Sequence, residues 1–319
     1  MTVQTIHPKH IIGRLLAIPP SYFVFLLLLV VLWTTRPQML NPAVLGIFVR
    51  QIVPLGILVL GQLLVMRVKS IDLSSGGIVL FVNYVISSGI MPGASLMTFV
   101  AVAIAIGVLV GTLTGYLIAI RRASAVIVTL AFSTIIVGLV QFLSSGKPPG
   151  DVPTAFTDLY GTKLGIVPTP VILWLICAML LWVLLSRTVF GKFVASIGEN
   201  PVAAHFSGVP VQRTVMICHV IVGFIASIAA LVQTASIAVG SVRVGLDLPI
   251  LSVAATILGG VAFGKGDGGV WGPVFGALSF ALLFVVMTTF GIEESGKLIT
   301  QGLIILIAAI FYGIRTSKE

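Results

Sequence analysis

The sequence predicts an all-α polytopic membrane protein of about ten transmembrane helices, with the N and C termini both cytoplasmic. Three observations carry this reading. First, only 8% of the 319 residues are charged and 58% are hydrophobic, with a mean hydropathy of +1.20. A soluble domain carries about 25% charged residues, so the solvent for most of this chain is lipid. Second, the apolar residues form long runs without period-2 alternation, which selects helices over a closed barrel. Third, Arg67, Lys69, Arg121, Arg122, Arg187, Lys192 and Arg213 fall on loops of one side, and Asp151, Asp158, Asp247, Glu293 and Glu294 fall on the other. That is the asymmetry of the positive-inside rule for an even number of spans. It also accounts for the net charge of +9 without nucleic acid.

The elements follow in order. Residues 1–16, with His7, Lys9, His10 and Arg14, form a cytoplasmic N-terminal tail. The first apolar run, 17–35, is followed by Thr34-Thr35-Arg36-Pro37 and lacks a small-x-small cleavage site, so it reads as an uncleaved span. Further spans are expected at 44–66, 76–92, 96–120, 124–143, 168–186, 214–236, 248–263, 270–290 and 297–314. The transmembrane domain therefore covers 17–314, and 315–319 is a second cytoplasmic tail. Trp33 and Trp174 are expected at one membrane interface, Trp182 and Trp271 at the other. Gly107, Gly111 and Gly115, and Gly272 with Gly276, are small-x-x-x-small patterns that let helices approach closely.

Two loops are long. The 144–168 loop is rich in Gly and Pro and reads as irregular cover over the outer face. The 186–213 loop contains Ile197-Gly198-Glu199-Asn200-Pro201, a turn feeding a short helix that ends near Gly208 with Pro210 beyond it. A short helix there is a handle for a soluble partner, or an ordinary connection. A faint echo links Ile71-Asp72-Leu73-Ser74-Ser75-Gly76-Gly77 with Phe263-Gly264-Lys265-Gly266-Asp267-Gly268-Gly269, as a duplication would.

Little points to bond-making chemistry. Gly259 to Gly266 approaches a phosphate-binding loop but lacks the closing Ser or Thr that would hold magnesium, and it follows an apolar span. Cys177 and Cys218 lie in apolar runs and read as small core residues. His7, His10, His205 and His219 have no metal-ligand spacing. No acid–base pair or nucleophile constellation is visible, so no catalytic site is expected and the chain does not read as an enzyme. No charged residue sits at mid-span, which argues against proton- or sodium-coupled transport. The spans do hold uncharged polar residues, among them Gln62, Asn83, Thr129, Ser133 and Gln233. Helix–helix hydrogen bonds would satisfy them singly, and as a set they suit a wet path for a neutral polyhydroxylated solute.

Four stretches are more specific: Ile71-Asp72-Leu73-Ser74-Ser75-Gly76; Ala125-Val126-Ile127-Val128-Thr129-Leu130; Thr188-Val189-Phe190-Gly191-Lys192 through Ile197-Gly198-Glu199-Asn200-Pro201-Val202-Ala203-Ala204 to Ser207-Gly208-Val209; and Ala254-Ala255-Thr256-Ile257-Leu258-Gly259-Gly260 with Gly268, Gly269 and Gly272. With these the chain resembles, over about 45–315, the inner-membrane permease subunits of ribose-type (monosaccharide) ABC importers, which work with a periplasmic binding protein. It departs from that family at Lys69-Ser70, which replaces Gly-Gly, in lacking a Pro around Ser124, and at Lys265 and Asp267 in a hairpin usually rich in Ser and Gly.

The resemblance implies the ABC importer permease fold in a bacterial inner membrane and ATP-driven import of a sugar or related solute. It implies a homodimer, a cytoplasmic ABC ATPase that carries the ATP and magnesium, and a periplasmic solute-binding protein. This chain itself would hold no cofactor and no metal. The 186–213 loop would be the coupling loop, with Glu199, Asn200, Ala203, Ala204, Ser207 and Gly208 docking on the ATPase. Asp72, Ser74, Gly76, Gly259 and Gly260 would be family-motif positions. The same fold could carry a nucleoside, an amino acid or a furanone signal, and a stand-alone channel or secondary transporter is the reading from another class.

Overall fold

The computed structural model describes residues 19–261, 268–293, 295–304 and 306. The tails at 1–16 and 315–319 lie outside them, as do most of the Gly259–Gly266 stretch and the second copy of the internal echo. The described chain is helical. The helices are α1 (Pro20–Thr35), α2 (Pro42–Arg67), α3 (Ser75–Ser87), α4 (Leu96–Ala119), α5 (Ala125–Ser144), α6 (Thr154–Gly161), α7 (Thr169–Arg187), α8 (Val189–Glu199), α9 (Pro201–Phe206), α10 (Val211–Ile237), α11 (Leu248–Leu258) and α12 (Trp271–Thr289). Residues 295–304 are helical as well. A two-residue hairpin, β1 (Lys163–Leu164) with β2 (Val167–Pro168), joins α6 to α7. Among the described residues, six helices are long and apolar enough to cross a membrane: Val44–Arg67 of α2, and α4, α5, α7, α10 and α12.

Helix α10 is the hub. Its partner α4 lies against it through glycines: a Cβ on Gly107 would collide with the Gly223 carbonyl and the Ser227 hydroxyl, and one on Gly111 with the His219 carbonyl. Small residues let the two backbones touch, which is where van der Waals packing between helices is strongest in lipid. On the other side of α10, Val222 and Ile225 face Gly61 of α2. The second glycine pair works similarly: Gly272 of α12 meets Gly259, and Gly276 meets the Ala255 carbonyl of α11. Ser21 of α1 donates to the Gly272 carbonyl at 2.9 Å, and Ser279 donates to the Ser21 carbonyl at 3.1 Å, fixing α1 on α12.

Trp174 packs inward, within the bundle. It is buried, and its indole fills the slot left by Gly56 on α2. Trp33, by contrast, is exposed on the surface of the bundle.

The larger difference concerns two of the expected spans. The 76–92 run becomes α3, which has 13 residues, and the 248–263 run becomes α11, which has 11. At 1.5 Å per residue these are about 20 Å and 17 Å long, short of a hydrocarbon core of about 30 Å. Their N-terminal turns meet inside the bundle, where a Cβ on Gly76 would lie 2.9 Å from both the Gly245 carbonyl and Pro249. Each is entered through non-helical chain, 68–74 before α3 and 238–247 before α11. In the first of these, Ser70, Asp72 and Ser74 are buried. Irregular backbone at such depth is tolerated where protein surrounds it and side chains satisfy it.

Candidate functional site

One end of the bundle carries the 186–213 segment. Thr188 caps α8, its hydroxyl accepting from the Gly191 N–H at 3.2 Å, and Gly191 lies where a Cβ would collide with the Leu185 carbonyl. Asn200 caps α9: its Oδ1 accepts from the N–H groups of Val202 and Ala203, both at 3.0 Å, and Pro201 supplies the first helical position. Asn and Pro at these places suit the start of a helix. At the other end, Gly208 has φ +83°, its N–H donates to the His205 carbonyl, and the Val209 N–H donates to the Ala204 carbonyl. This is a Schellman stop, with buried Val209 against buried Ala204 as its apolar contact.

So rigid a six-residue helix presents an unusual surface. Phe206 is 84% exposed and Val202, one turn before it, is 63% exposed. Glu199, Asn200, Ala203, Ser207 and Gly208 are exposed beside them, while Ala204 faces inward. A cavity of about 840 Å³ separates α9 from the end of α4, between Ile118, Arg122, His205 and Val211.

The segment is tied to the 68–74 chain. Lys69, at φ +62°, donates through Nζ to the Glu199 carbonyl at 3.5 Å. Its neighbour Ser70 is bonded to His219 Nε2 of α10 at 2.8 Å, both groups being buried. Asp72, 2% exposed, accepts from the Ser74 hydroxyl at 2.6 Å, the Ser74 N–H at 3.3 Å and the Ser75 N–H at 3.1 Å. Of the motif positions, Asp72 and Ser74 therefore build the buried start of α3. Gly76 admits Pro249 and the Gly245 carbonyl, and Gly259 and Gly260 end α11 against α12 and Pro19.

Among the five polar residues expected along a path, no hydrogen bond joins any two, and they occupy four helices. Gln62 is buried in α2 with its Nε2 unpartnered. Thr129 bonds back to the Ala125 carbonyl, and Ser133 packs against Gly77 of α3. Asn83 faces no open space: it is fully buried, its Nδ2 donates to the Val239 carbonyl at 3.2 Å, and its Oδ1 accepts from the Ser241 N–H at 2.8 Å. Gln233 lines a cleft of about 440 Å³ together with Ser241, Arg243 and Asp247. Beside α10 at this end, Arg50 lies over the Tyr160 ring at 5.3 Å. Burial raises the Tyr160 hydroxyl above its usual range, against the lowering effects of a hydrogen bond with Ser236 and of Arg50.

Sequence reasoning missed two groupings. Ser70 and His219 are 149 positions apart, and nothing in either neighbourhood announces the pairing. Arg243 and Asp247 were visible only as loop charges. Among the described residues, no three His, Cys, Asp or Glu side chains come together as a metal site.

A family profile described as branched-chain amino acid transport system / permease component matches residues 44–309. The ribose import permease protein RbsC of Escherichia coli (strain K12) is 27% identical over 316 residues, covering 97% of this chain and 98% of its own length. RbsC of Bacillus subtilis (strain 168) is 29% identical over 304 residues, 94% of each chain. The L-arabinose transport system permease protein AraH of Escherichia coli (strain K12) is 32% identical over 257 residues, 80% of this chain and 78% of its own. No solved structure matches at a significant level.

Proposed function

The chain belongs to the branched-chain amino acid transport system / permease component family, and from that premise we propose that it is the membrane subunit of an ATP-driven ABC importer for a monosaccharide. It is a multi-pass inner-membrane protein. The relatives named for ribose and arabinose support sugar over the family's amino-acid description. The observation that carries the importer reading is α9: a capped six-residue helix with Phe206 and Val202 left exposed at one end of a lipid-soluble bundle. Such an apolar knob on a rigid support suits insertion into a groove on a soluble partner.

In this reading α9 and its flanks, from Glu199 through Gly208, dock on a cytoplasmic ABC ATPase that holds the ATP and magnesium. The α9 side, both termini included, is then cytoplasmic, and with α3 and α11 as short inserts the ten expected crossings fall to about eight, an even number that keeps both termini on one side. Two copies enclose the path, and a periplasmic binding protein delivers solute to the opposite face. Rocking of the bundles on ATP closure opens and shuts the path.

The test is affinity capture of the tagged protein in mild detergent from its own host, probed for a co-purifying ATPase, with wild type, Phe206→Ala and a chain lacking 197–209. Recovery by wild type and its loss in both variants is expected. Capture that is equal in all three, or absent from well-folded wild type, refutes the docking role.

A further inference from the structure

We infer that the cleft between the last turns of α10 and the 239–247 chain is a solute-binding subsite that reads vicinal hydroxyls through Gln233, Arg243 and Asp247. The inference rests on the sugar-import reading above and adds to it a place and a chemistry of recognition.

The cleft is a shallow, open depression of about 440 Å³, which would cover one face of a small solute. Its polar groups differ usefully in kind. The Arg243 guanidinium only donates, the Asp247 carboxylate only accepts, and the Gln233 amide and Ser241 hydroxyl do both. Each hydroxyl of a diol offers one donor and two acceptor lone pairs, so a wall that both donates and accepts can engage two neighbouring hydroxyls at once. Ile237 and Val244 provide an apolar wall for the C–H face of a ring. Among the described residues, neither the Arg243 guanidinium nor the Asp247 carboxylate has a hydrogen-bond partner, so both are free to meet a ligand.

The backbone that presents these groups is held rigidly. Asn83 grips it at Val239 and Ser241. The Gly240 N–H donates to the Gly150 carbonyl at 2.6 Å, and the Arg243 N–H donates to the Ser241 hydroxyl at 3.2 Å. Gly245 turns at φ +78° against Val79, where a Cβ would collide. An exposed loop needs no fully buried amide to hold it in one conformation; a binding wall does, because preorganisation removes the ordering cost of the ligand complex. Asn83 is accordingly a positioning residue, and Gln233 the member of the predicted path set that meets solute.

The experiment uses the complete importer in proteoliposomes: permease, ATPase and binding protein. D-ribose and L-arabinose are the probes. Wild type is compared with Gln233→Ala, Arg243→Gln and Asp247→Asn, the last two at exposed positions, with Asp247 making no side-chain capping bond to α11. Two quantities are read: sugar moved per ATP hydrolysed, and the stimulation of hydrolysis by sugar-loaded binding protein. We expect sugar per ATP to fall about tenfold in Asp247→Asn and Arg243→Gln, the loss of one hydrogen bond to a charged group, with stimulation within about twofold of wild type. An unchanged ratio in all three variants overturns the subsite. Loss of stimulation together with loss of binding-protein association also overturns it, and makes the cleft a docking face. If wild type moves neither sugar, the sugar reading itself fails and takes the subsite with it.

Discussion

Replacing Asp72 with Ala removes three hydrogen bonds at a point where water cannot take their place. The carboxylate, 2% exposed, receives the Ser74 hydroxyl and the N–H groups of Ser74 and Ser75, and so satisfies the first turn of a helix that starts inside the bundle. Each buried donor left without a partner costs about 1–3 kcal/mol, and two backbone N–H groups are orphaned. The hydroxyl can rotate toward another acceptor, so we expect a loss of about 3–5 kcal/mol for Asp72→Ala. Asp72→Asn keeps one acceptor oxygen and loses the charge that favours a helix N-terminus, which costs about 1–2 kcal/mol. Unfolding of the purified protein in one detergent, followed by tryptophan fluorescence, should rank wild type above Asn and Asn above Ala.

The competing account is that Asp72 acts through His219 of α10, whose Nε2 is bonded to Ser70, two residues before Asp72. Under that account Asn and Ala are equally harmful, and His219→Gln restores part of the loss in Asp72→Asn. Under the capping account His219→Gln adds its own cost, because His219 Nε2 is bonded to Ser70. Equal stability of Asp72→Ala and wild type, within about 0.5 kcal/mol, refutes both.

Three further outcomes are expected. Gly208→Pro places a residue locked near φ −65° where φ is +83° and removes the N–H that reaches His205; uptake should fall about tenfold or more with ATP hydrolysis and membrane insertion retained, measured in vesicles. Gly223→Leu drives a side chain into the Gly107 carbonyl of α4 and should cost about 1–3 kcal/mol or more, read as a lowered unfolding temperature, with Gly223→Ala intermediate. The hydroxyl of Tyr160 titrates above its unfolded value of about 10, so its contribution to stability is complete below that pH and is lost as pH rises through the folded value; unfolding measured from pH 9 to 11.5 should show Tyr160→Phe losing less stability than wild type in that window.

The membrane class and the family were legible because hydropathy and loop motifs are local properties of the chain. The ends of α9 were legible for the same reason: Asn200-Pro201 and Gly208 each set a backbone conformation by themselves. What stayed hidden was depth. The run 76–92 is apolar beyond Ser87, with Ile90 and Met91, so hydropathy extends a helix that the structure ends at Ser87. Nothing local shows that Ser75 begins inside the bundle, since that depends on Asp72, Gly245 and Pro249 converging. Partnership was equally hidden. Asn83 and Gln233 look alike as amides in apolar runs, yet one is consumed by the backbone of 239–241 and the other faces a cleft. The burial of Trp174 was hidden as well, because the residue that makes room for it, Gly56, lies on another helix.

The same contacts explain why a helix too short to cross the membrane sits at the centre of the molecule. Its entry chain is held at Lys69 by the last carbonyl of α8 and at Ser70 by His219, which is on the helix that leaves α9. Its far half holds the 239–241 backbone through Asn83. Helix α3 therefore has one end fastened to the support of α9 and the other to the wall of the cleft. A thirteen-residue helix does not compress, so a displacement of Glu199 must be taken up in 68–74 or carried along α3. The entry chain is held by discrete hydrogen bonds as well as by buried Val68, and such bonds can switch between arrangements where packed cores resist gradual deformation. A fully helical connection through 68–74 would present backbone already bonded to itself and leave neither Lys69 nor Ser70 in place to grip its neighbours. The break in the helix is thus what allows both ends of the protein to hold the same short rod.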